Sequence, residues 1–188
     1  MKKILFFIFL FQTSVVAQNL EKAYFAGGCF WCMEESFEKK EGVTEVISGY
    51  SGGKTKNPTY EEVTYGNTGH FETIEIIYDK SKINYKDLLD HFWKNIDPFD
   101  KYGQFCDKGY SYRSVAFYKN KEEKDLINKS IMELEKKFDK KIVTYVIEFK
   151  KFYKAEDKHQ NYYQVKFLNY LRYKKACGRE QTLNKIWN

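Results

Sequence analysis

The sequence predicts an α+β fold, in which a mixed sheet with flanking helices is followed by a long irregular C-terminal tail. Segments with strand-like alternation are interleaved with segments whose apolar residues recur at helical spacing, and no internal repeat or low-complexity linker divides the chain. Its 188 residues, 43% of them hydrophobic and 19% aromatic, suffice for the core of one ordinary domain. We therefore expect a single domain over residues 18–188.

The first seventeen residues are typical of a secretory signal peptide. A basic start, "MKK", precedes the apolar run "ILFFIFLF", and "SVVAQ" places Val15 and Ala17 three positions and one position before a cleavage point. This predicts that residues 1–17 are removed, that the mature chain begins near Gln18, and that the folded part is exported to the periplasm or secreted. An N-terminal membrane anchor is the alternative, although the apolar run is short for a permanent span.

The first half of the domain contains two predicted strands and two predicted helices. "KAYFAGG" is a strand that ends in two glycines, and "CFWCMEESFEKK" is a helix that begins at Cys29, so this cysteine lies at a helix N-terminus. "VTEVISGYSGG" is a second strand that runs into a glycine-rich turn. In "NPTYEEVTYG" we expect Asn57 to cap a short helix, with Pro58 in its first position and Tyr60 in its first turn.

The second half continues the alternation of strands and helices. "HFETIEIIYD" is a strand that places Glu72 on the same face as Ile74 and Ile76, and "INYKDLLDHFW" is an amphipathic helix. A long loop, "DPFDKYGQFCDKGYSYRS", is followed by the strand "VAFYK", a helix over about 126–138 and the strand "KIVTYVIEF". This order is that of a ferredoxin-like split βαβ unit. We expect the tail from "KAEDKHQNYYQ" onward to contain at most one or two helices and to wrap over the sheet.

The charge pattern indicates a solvated surface rather than a nucleic-acid-binding protein. The formal net charge of +6 includes Lys2 and Lys3, so the mature chain would carry about +4, with lysines interleaved among glutamates and aspartates. No second long apolar run follows the leader, so no stable membrane association is expected after the signal is removed.

Two cysteines, Cys29 and Cys32, form a Cys-x-x-Cys pair for which the residues alone leave several functions open. A helix N-terminus favours the thiolate, so Cys29 could be a nucleophile of lowered pKa, and a buried structural thiol is the alternative. Such a pair near a βαβ pattern is also typical of a thioredoxin-like oxidoreductase. Four cysteines in an exported protein further suggest two structural disulfides, although a Cys-x-x-Cys pair closes too short a loop to constrain much of the chain.

A zinc site is not indicated, because the pair lacks a second pair of ligands at matching spacing. The other candidate ligands stand singly in the sequence: Cys106, Cys177, His70, His91 and His159. We therefore predict no bound metal.

Six segments together identify a family. "GCFWCMEESFEKKEGV", "SGYSGG", "NPTYEEV", "TGHFE", "FCDKGYSYRS" and "YKAEDKHQNYY" resemble, in this order, the motifs of the A-type peptide-methionine sulfoxide reductases, from about Ala23 to the end of the chain. The resemblance implies an α+β core around a mixed sheet and reduction of the S-epimer of methionine sulfoxide, in oxidised proteins and as the free amino acid. It also implies protein repair after oxidation, without a bound cofactor.

The resemblance assigns roles to individual residues. It implies that Cys29 attacks the sulfoxide sulfur and that Glu72 supplies a proton to its oxygen, which requires a carboxyl whose pKa is raised by burial. Phe30 and Trp31 would hold the methyl group by contact. Three further positions would surround the sulfoxide oxygen and the substrate, namely Tyr60, Asp107 and Tyr112. His70 is expected only to shape a turn, and His159 matches a family motif without an assigned role.

Recycling of the enzyme requires a second thiol, because attack leaves Cys29 as a sulfenic acid. The sequence departs here from family members that have glycine after "GCFW" and recycle through C-terminal cysteines. Cys32 takes the position of that glycine and is the favoured resolving residue, because closing a short loop costs little entropy. Cys177 is the second candidate, and Cys106 is the third.

A thioredoxin-like protein is the expected electron donor, and a monomer is the expected state. A different function also remains open at this point: a cell-envelope thiol-disulfide oxidoreductase that uses the Cys29 and Cys32 pair without a sulfoxide substrate.

Overall fold

A computed structural model describes residues 19–188. The predicted signal peptide and the alternative membrane anchor lie outside the described residues. Within those residues, no helix combines the length and the apolar character that crossing a membrane requires.

Eight strands and seven helices make up the described part of the chain. The strands are β1 Leu20–Ala26, β2 Val43–Ser51, β3 Phe71–Asp79, β4 Gly103–Gln104, β5 Asp107–Lys108, β6 Val115–Tyr118, β7 Tyr145–Glu148 and β8 Phe152–Lys154. The helices are α1 Phe30–Glu38, α2 Tyr60–Tyr65, α3 Tyr85–Lys94, α4 Lys121–Phe138, α5 Tyr162–Val165, α6 Phe167–Cys177 and α7 Arg179–Trp187. Two short 3-10 helices cover Tyr110–Tyr112 and Asp157–His159.

Six strands form one mixed sheet in the order β7-β6-β1-β3-β2-β8, and β4 pairs with β5 in a small separate hairpin. The β6 and β7 strands are parallel, and the other neighbours in the large sheet are antiparallel. Since β3 is antiparallel to both β1 and β2, the β1-α1-β2 unit is a parallel pair with a strand inserted between its members. This confirms the ferredoxin-like α+β prediction.

The central strand β3 places Glu72 above a buried apolar layer. Ile74 and Ile76 are fully buried in the main core, which α1 and α3 cover with Phe37 and Phe92. On the opposite face of the strand, Phe71 belongs to a second, smaller core. The predicted alternation of side chains along β3 is therefore confirmed. It explains how the carboxyl group of Glu72 comes to lie on a buried face of the sheet.

Two helix boundaries differ from the prediction. Helix α2 is capped by Thr59, which forms a reciprocal capping box with Glu62, whereas the expected cap, Asn57, adopts a left-handed φ of 47° outside the helix. Helix α4 begins at Lys121 rather than near Leu126, because the Asn120 side chain accepts a hydrogen bond from the Glu123 amide at 2.9 Å.

The C-terminal tail is more helical than the expected one or two helices, since it contains α5, α6 and α7. The apolar residues of α6 did not mark its packed face. Phe167 and Leu168 are exposed, while Tyr170 is buried against the thiols of α1. A polar and aromatic face that packs on a cysteine pair has no simple hydrophobic periodicity.

Candidate active site

Cys29 is the N-cap residue of α1 and follows directly from the turn after β1. Gly28 makes that turn with a φ of +81°, and a Cβ added there would lie 2.6 Å from the Cβ of Gln104. The Cys29 carbonyl accepts the first hydrogen bonds of the helix, from Cys32 N at 3.1 Å and Met33 N at 3.3 Å. The predicted position of Cys29 at a helix N-terminus is confirmed.

Glu72 lies beside Cys29 and is only 2% exposed. Its Oε2 accepts a hydrogen bond from the backbone amide of Phe30 at 3.0 Å. Burial raises the pKa of Glu72 to about 8, and the nearby negative charge of Asp107 adds to this effect, while the Phe30 amide opposes it. The carboxyl group therefore carries a proton at neutral pH, as a proton donor must.

The residues predicted for catalysis and substrate binding converge on one small cavity of about 60 Å³, which the resolving candidates Cys32 and Cys177 do not line. Eight residues line it: Cys29, Phe30, Trp31, Tyr60, Glu72, Asp107, Tyr112 and Tyr173. Only Tyr173 was not predicted. It comes from α6, and the only signal in the sequence is that Tyr170, Tyr173 and Cys177 recur at helical spacing in a segment expected to be irregular.

The aromatic walls of the cavity are supported from behind by the tail. Trp31 stacks on Tyr162 with ring centroids 3.8 Å apart. His159 packs against Tyr60 at 4.5 Å and against Phe30 at 5.4 Å, and burial lowers its pKa, which keeps the ring neutral. His159 is thus a packing residue behind the walls, and it does not line the cavity.

Hydroxyl groups and one carboxylate occupy the polar side of the cavity. Burial raises the pKa of Tyr60 and Tyr112 above the ordinary tyrosine value, so both hydroxyls remain available as donors. Asp107 accepts a hydrogen bond from the Tyr173 hydroxyl. Burial raises the pKa of Asp107, and this hydrogen bond opposes the rise.

The expectation of a low pKa for Cys29 is wrong in this structure. Cys29 is 5% exposed beneath α6, and burial raises its pKa well above the ordinary value despite the helix N-terminus. For Cys32, a hydrogen bond from the Cys29 thiol and the positive charges of Arg179 and Lys174 lower the pKa to about 7, against the effect of burial. Of the two thiols, Cys32 therefore ionises more readily.

A disulfide joins Cys106 to Cys177 across 71 residues, with 4.9 Å between the Cα atoms. The sequence suggested structural disulfides among its four cysteines without predicting this pairing, and both residues were named as candidates to resolve Cys29. Cys29 and Cys32 are the free cysteines of the described residues, and both are buried. Asp107 lies with the two bonded sulfurs in a cluster within 4.8 Å, but sulfurs engaged in a disulfide are not thiolate ligands for a metal.

His70 shapes a turn, as expected. Its Nδ1 accepts a hydrogen bond from the Gly53 amide at 3.1 Å, and its Nε2 pairs with the Thr55 carbonyl at 2.8 Å. A Cβ at Gly53 would lie 2.5 Å from the imidazole ring. The histidine thus fixes the loop that leads into β3, two residues before Glu72.

Comparison with known proteins gives one family for this chain. A family model described as "Peptide methionine sulfoxide reductase" matches residues 21–188. The chain is 45% identical over 172 residues to peptide methionine sulfoxide reductase MsrA of Listeria monocytogenes, and the alignment covers 90% of this chain and 97% of that protein. It is also 45% identical over 171 residues to the MsrA/MsrB protein of Vibrio cholerae. That alignment covers 90% of this chain and 45% of the longer relative.

Solved structures show the same architecture. Mxr1 from Saccharomyces cerevisiae in reduced form superposes with a TM-score of 0.72 at 29% identity, over 78% of this chain and 85% of that one. Mxr1 in complex with Trx2 superposes with a TM-score of 0.54 at 21% identity, over 79% and 91% of the two chains, and this second likeness concerns the fold alone. Because the family model covers nearly all of the described domain and a relative aligned over 97% of its own length is 45% identical, the chain belongs to the A-type peptide methionine sulfoxide reductases.

Proposed function

We propose that this chain reduces the S-epimer of methionine sulfoxide to methionine, in oxidised proteins and as the free amino acid, with Cys29 as the nucleophile and Glu72 as the proton donor. One observation carries the proposal: the thiol at the start of α1 and a buried, protonated carboxyl on β3 line the same aromatic-walled cavity of about 60 Å³. A methyl group needs apolar contact, and a sulfoxide oxygen needs a proton before it can leave the sulfur.

The reaction assigns a step to the thiol, the carboxyl group and two hydroxyl groups of the cavity. The Cys29 sulfur bonds to the sulfoxide sulfur while the oxygen takes a proton from Glu72. The bond between the two sulfurs then breaks as the oxygen is transferred to Cys29, so Cys29 is oxidised by two electrons to a sulfenic acid and methionine leaves with its sulfur reduced by two electrons. No net proton is consumed, because the proton lost by the Cys29 thiol replaces the one that Glu72 gives. Hydroxyl donors from Tyr60 and Tyr112 stabilise the charge that develops on the oxygen.

Replacement of the nucleophile tests this assignment. Cys29→Ser should release no methionine from an S-sulfoxide substrate, because a serine hydroxyl is not a soft nucleophile for sulfur. The matched variant Cys32→Ser keeps the nucleophile and should still release one equivalent in the absence of reductant. Methionine release by Cys29→Ser at a substantial fraction of the parental rate would contradict the proposal.

We further propose that Cys32 resolves the sulfenic acid on Cys29. The two thiols interact inside the same buried cluster, and the lowered pKa of Cys32 supplies the thiolate that attacks the Cys29 sulfur with loss of water. Cys177 supports this role less well, because its sulfur is bonded to Cys106. Peptide mapping after one equivalent of methionine sulfoxide should find a Cys29 to Cys32 disulfide, and a bond from Cys29 to Cys177 would assign resolution to the other candidate.

A thioredoxin-like protein is the proposed electron donor. The support is the chemistry of the cycle, which ends in a disulfide that a dithiol must reduce, together with the complex of the relative Mxr1 with Trx2. The alternative, a general thiol-disulfide oxidoreductase, predicts turnover of insulin disulfides without any sulfoxide. We expect no such turnover above the background of the reductant.

Export to the periplasm or beyond is proposed from the leader, and it is supported by the Cys106 to Cys177 disulfide, since such bonds persist in oxidising compartments. Cell fractionation combined with N-terminal sequencing tests it, with the mature chain expected to begin near Gln18. A cytoplasmic protein that keeps Met1 would contradict the proposal. The same purified protein is expected to be a monomer in sedimentation experiments.

A further inference from the structure

One face of α6 is apolar and exposed. Phe167, Leu168 and Leu171 are 57%, 65% and 48% exposed, and their spacing places them on one side of the helix. Val165, directly before α6, is exposed as well. Residues 165–171 thus hold four of the ten large hydrophobic side chains that are exposed among residues 19–188. Such a concentration, unlike single exposed apolar residues, is typical of an interaction surface.

The other face of α6 is the one that packs on the active site. Tyr170 is buried against the thiols of α1, and its hydroxyl donates to Glu35. Tyr173 lines the cavity. The fold therefore buries the polar and aromatic face of this helix and leaves its aliphatic face outside, which is the reverse of an ordinary amphipathic surface helix. The aliphatic face has no part in the cavity.

Three exposed cations border the apolar face, namely Lys166, Arg172 and Lys175. Arg172 and Lys175 each follow a leucine of that face by four residues, so they lie beside it. None of the three takes part in the ion pairs of residues 19–188. Residues 158–179 contain no aspartate or glutamate, whereas lysines elsewhere are interleaved with acidic residues. The rim of the apolar face is therefore positively charged without local compensation.

We propose that the apolar face of α6, with its cationic rim, binds the surface of a membrane that contains anionic phospholipids. The helix would lie in the plane of the interface, with Phe167, Leu168 and Leu171 between the headgroups and the acyl chains. Lys166, Arg172 and Lys175 would extend to the lipid phosphates. Export through the leader, as proposed above, would bring the folded chain out next to such a membrane.

The contact is peripheral and reversible, and it differs from a membrane span. The expectation of no stable membrane association concerned spanning segments, and the short apolar face of one helix gives only weak binding without help from charge. The face that packs on Cys29 and Cys32 points away from the lipid in this arrangement, so binding leaves the cavity intact.

Charge favours lipid over the other occupants of an apolar face. In a symmetric pair of chains the same surface meets itself, so a contact centred on α6 would bring like charges together with no carboxylate between them. A segment of an unfolded protein could cover the apolar side chains, but it would leave the three unpaired cations without a purpose. An anionic lipid surface satisfies both features at once.

Vesicle binding tests the proposal. Protein purified from residue 18 onward, so that the leader cannot contribute, is sedimented with vesicles of phosphatidylcholine or of equal parts phosphatidylcholine and phosphatidylglycerol. We expect binding to the mixed vesicles at low salt, and binding weaker by roughly fivefold or more to phosphatidylcholine alone and at high salt. No binding to the mixed vesicles, or equal binding to both compositions, would overturn the proposal. Binding is scored without substrate, so the outcome is independent of the proposed function.

Substitutions on the exposed face locate the contact. The double variant with Leu168→Gln and Leu171→Gln should weaken binding to the mixed vesicles by roughly tenfold or more, and Lys175→Gln should weaken it roughly fivefold. Met132→Gln is the matched control, because Met132 is an exposed apolar residue of α4, and it should bind like the parent. All these variants should keep the parental rate on free methionine sulfoxide, since none of the replaced residues lines the cavity.

Two results would assign the face to another occupant and overturn the proposal. The first is a dimer of the parent, in sedimentation without vesicles, that the double leucine variant converts to monomers. The second is a double leucine variant that binds vesicles like the parent but has lost its activity on an oxidised unfolded protein.

Discussion

Glu72 keeps its proton at neutral pH because burial, together with the nearby Asp107 charge, outweighs the opposing hydrogen bond from the Phe30 amide, and its pKa of about 8 predicts a pH dependence. The parental kcat/KM should fall as the pH rises through about 8, because ionised Glu72 has no proton to give. Glu72→Gln keeps the hydrogen-bond acceptor for Phe30 but should be slower by roughly 100-fold or more and lack this fall. Steady-state assays on an S-sulfoxide between about pH 6 and pH 10 measure both effects. Superimposable profiles for the two proteins would remove Glu72 from proton donation.

The same carboxyl group links folding stability to pH. The pKa of Glu72 is about 8 in the folded protein, against an ordinary value of 4.5. Between these values the folded state holds a proton that the unfolded chain has lost, so its contribution to the free energy of unfolding falls as the pH rises, by at most about 1.4 kcal/mol per pH unit. Glu72→Gln removes this slope. Its urea midpoint should therefore rise relative to the parent between about pH 5 and pH 8.5, and a constant difference would contradict the raised pKa.

Tyr173 should influence Glu72 through Asp107. Its hydroxyl donates to Asp107 and helps to keep that carboxylate ionised, and the charge on Asp107 in turn contributes to the raised pKa of Glu72. Tyr173→Phe should therefore move the high-pH fall in kcat/KM to lower pH while retaining the packing of the ring. The control is Tyr163→Phe, which loses a hydroxyl bonded to Glu38 away from the cavity. If both variants kept the parental profile, Tyr173 would be a packing residue only.

The residues that could be predicted from the sequence are those with strong local signals. Cys29 follows two glycines at a helix start, and the alternation of β3 places Glu72 on a buried face. Tyr173 could not be predicted in this way, because its partner Asp107 lies 66 residues earlier in the chain and α6 has no apolar stripe. The error about the pKa of Cys29 has the same origin, since the burial of that thiol depends on α6.

At the scale of elements, the disulfide attaches the end of α6 to the loop that carries Asp107. Cys177 is bonded to Cys106, and Tyr173, one helical turn earlier, is hydrogen-bonded to the next residue in the loop. The helix is thus fixed over the thiols of α1 by a covalent bond and a polar contact on one face. The strand and helix order was predictable from periodicity, but this docking was not, because it depends on pairing between distant polar residues.

Removing this disulfide should destabilise the protein and uncover the thiols. Closure of a loop of 71 residues corresponds to about 4 kcal/mol of stabilisation in the chain-entropy description. The double variant with Cys106→Ser and Cys177→Ser should lose a comparable free energy of unfolding in urea, and its Cys29 and Cys32 should react faster with iodoacetamide in the native state. The parent without reductant is the control. Equal alkylation rates would show that α6 stays docked without the bond.

On the scale of the whole molecule, the C-terminal tail joins the sheet, the nucleophile helix and the cavity walls. The Glu156 carboxylate accepts hydrogen bonds from the Tyr50 hydroxyl and the Tyr60 amide, both at 2.9 Å. Gln160 binds the backbone of Ser48 in β2 with both ends of its amide. The tail was expected to wrap over the sheet, and these contacts explain why it is ordered there: it satisfies backbone groups at the edge of β2 and at the start of α2.

Arg179 is a single side chain through which the C-terminal tail holds the site in place, because it connects α7 to the turn before Cys29 and to the end of α3. It donates to the carbonyls of Gly27 and Asn95. Arg179→Met fills a similar volume but leaves both carbonyls without this donor, so we expect a loss of about 2 to 4 kcal/mol in the free energy of unfolding. Arg172→Met, on the exposed side of α6, is the matched control and should change it by less than about 0.5 kcal/mol.

The same variant should also raise the pKa of Cys32, because Arg179 is one of the positive charges that lower it. Alkylation of Cys32 as a function of pH, measured below the temperature at which Arg179→Met unfolds, separates this electrostatic effect from the loss of stability. We expect the midpoint of the Cys32 profile to move to higher pH in Arg179→Met and to stay in place in Arg172→Met. A destabilised variant with an unshifted Cys32 midpoint would mean that the arginine holds the tail in place without acting on the thiol.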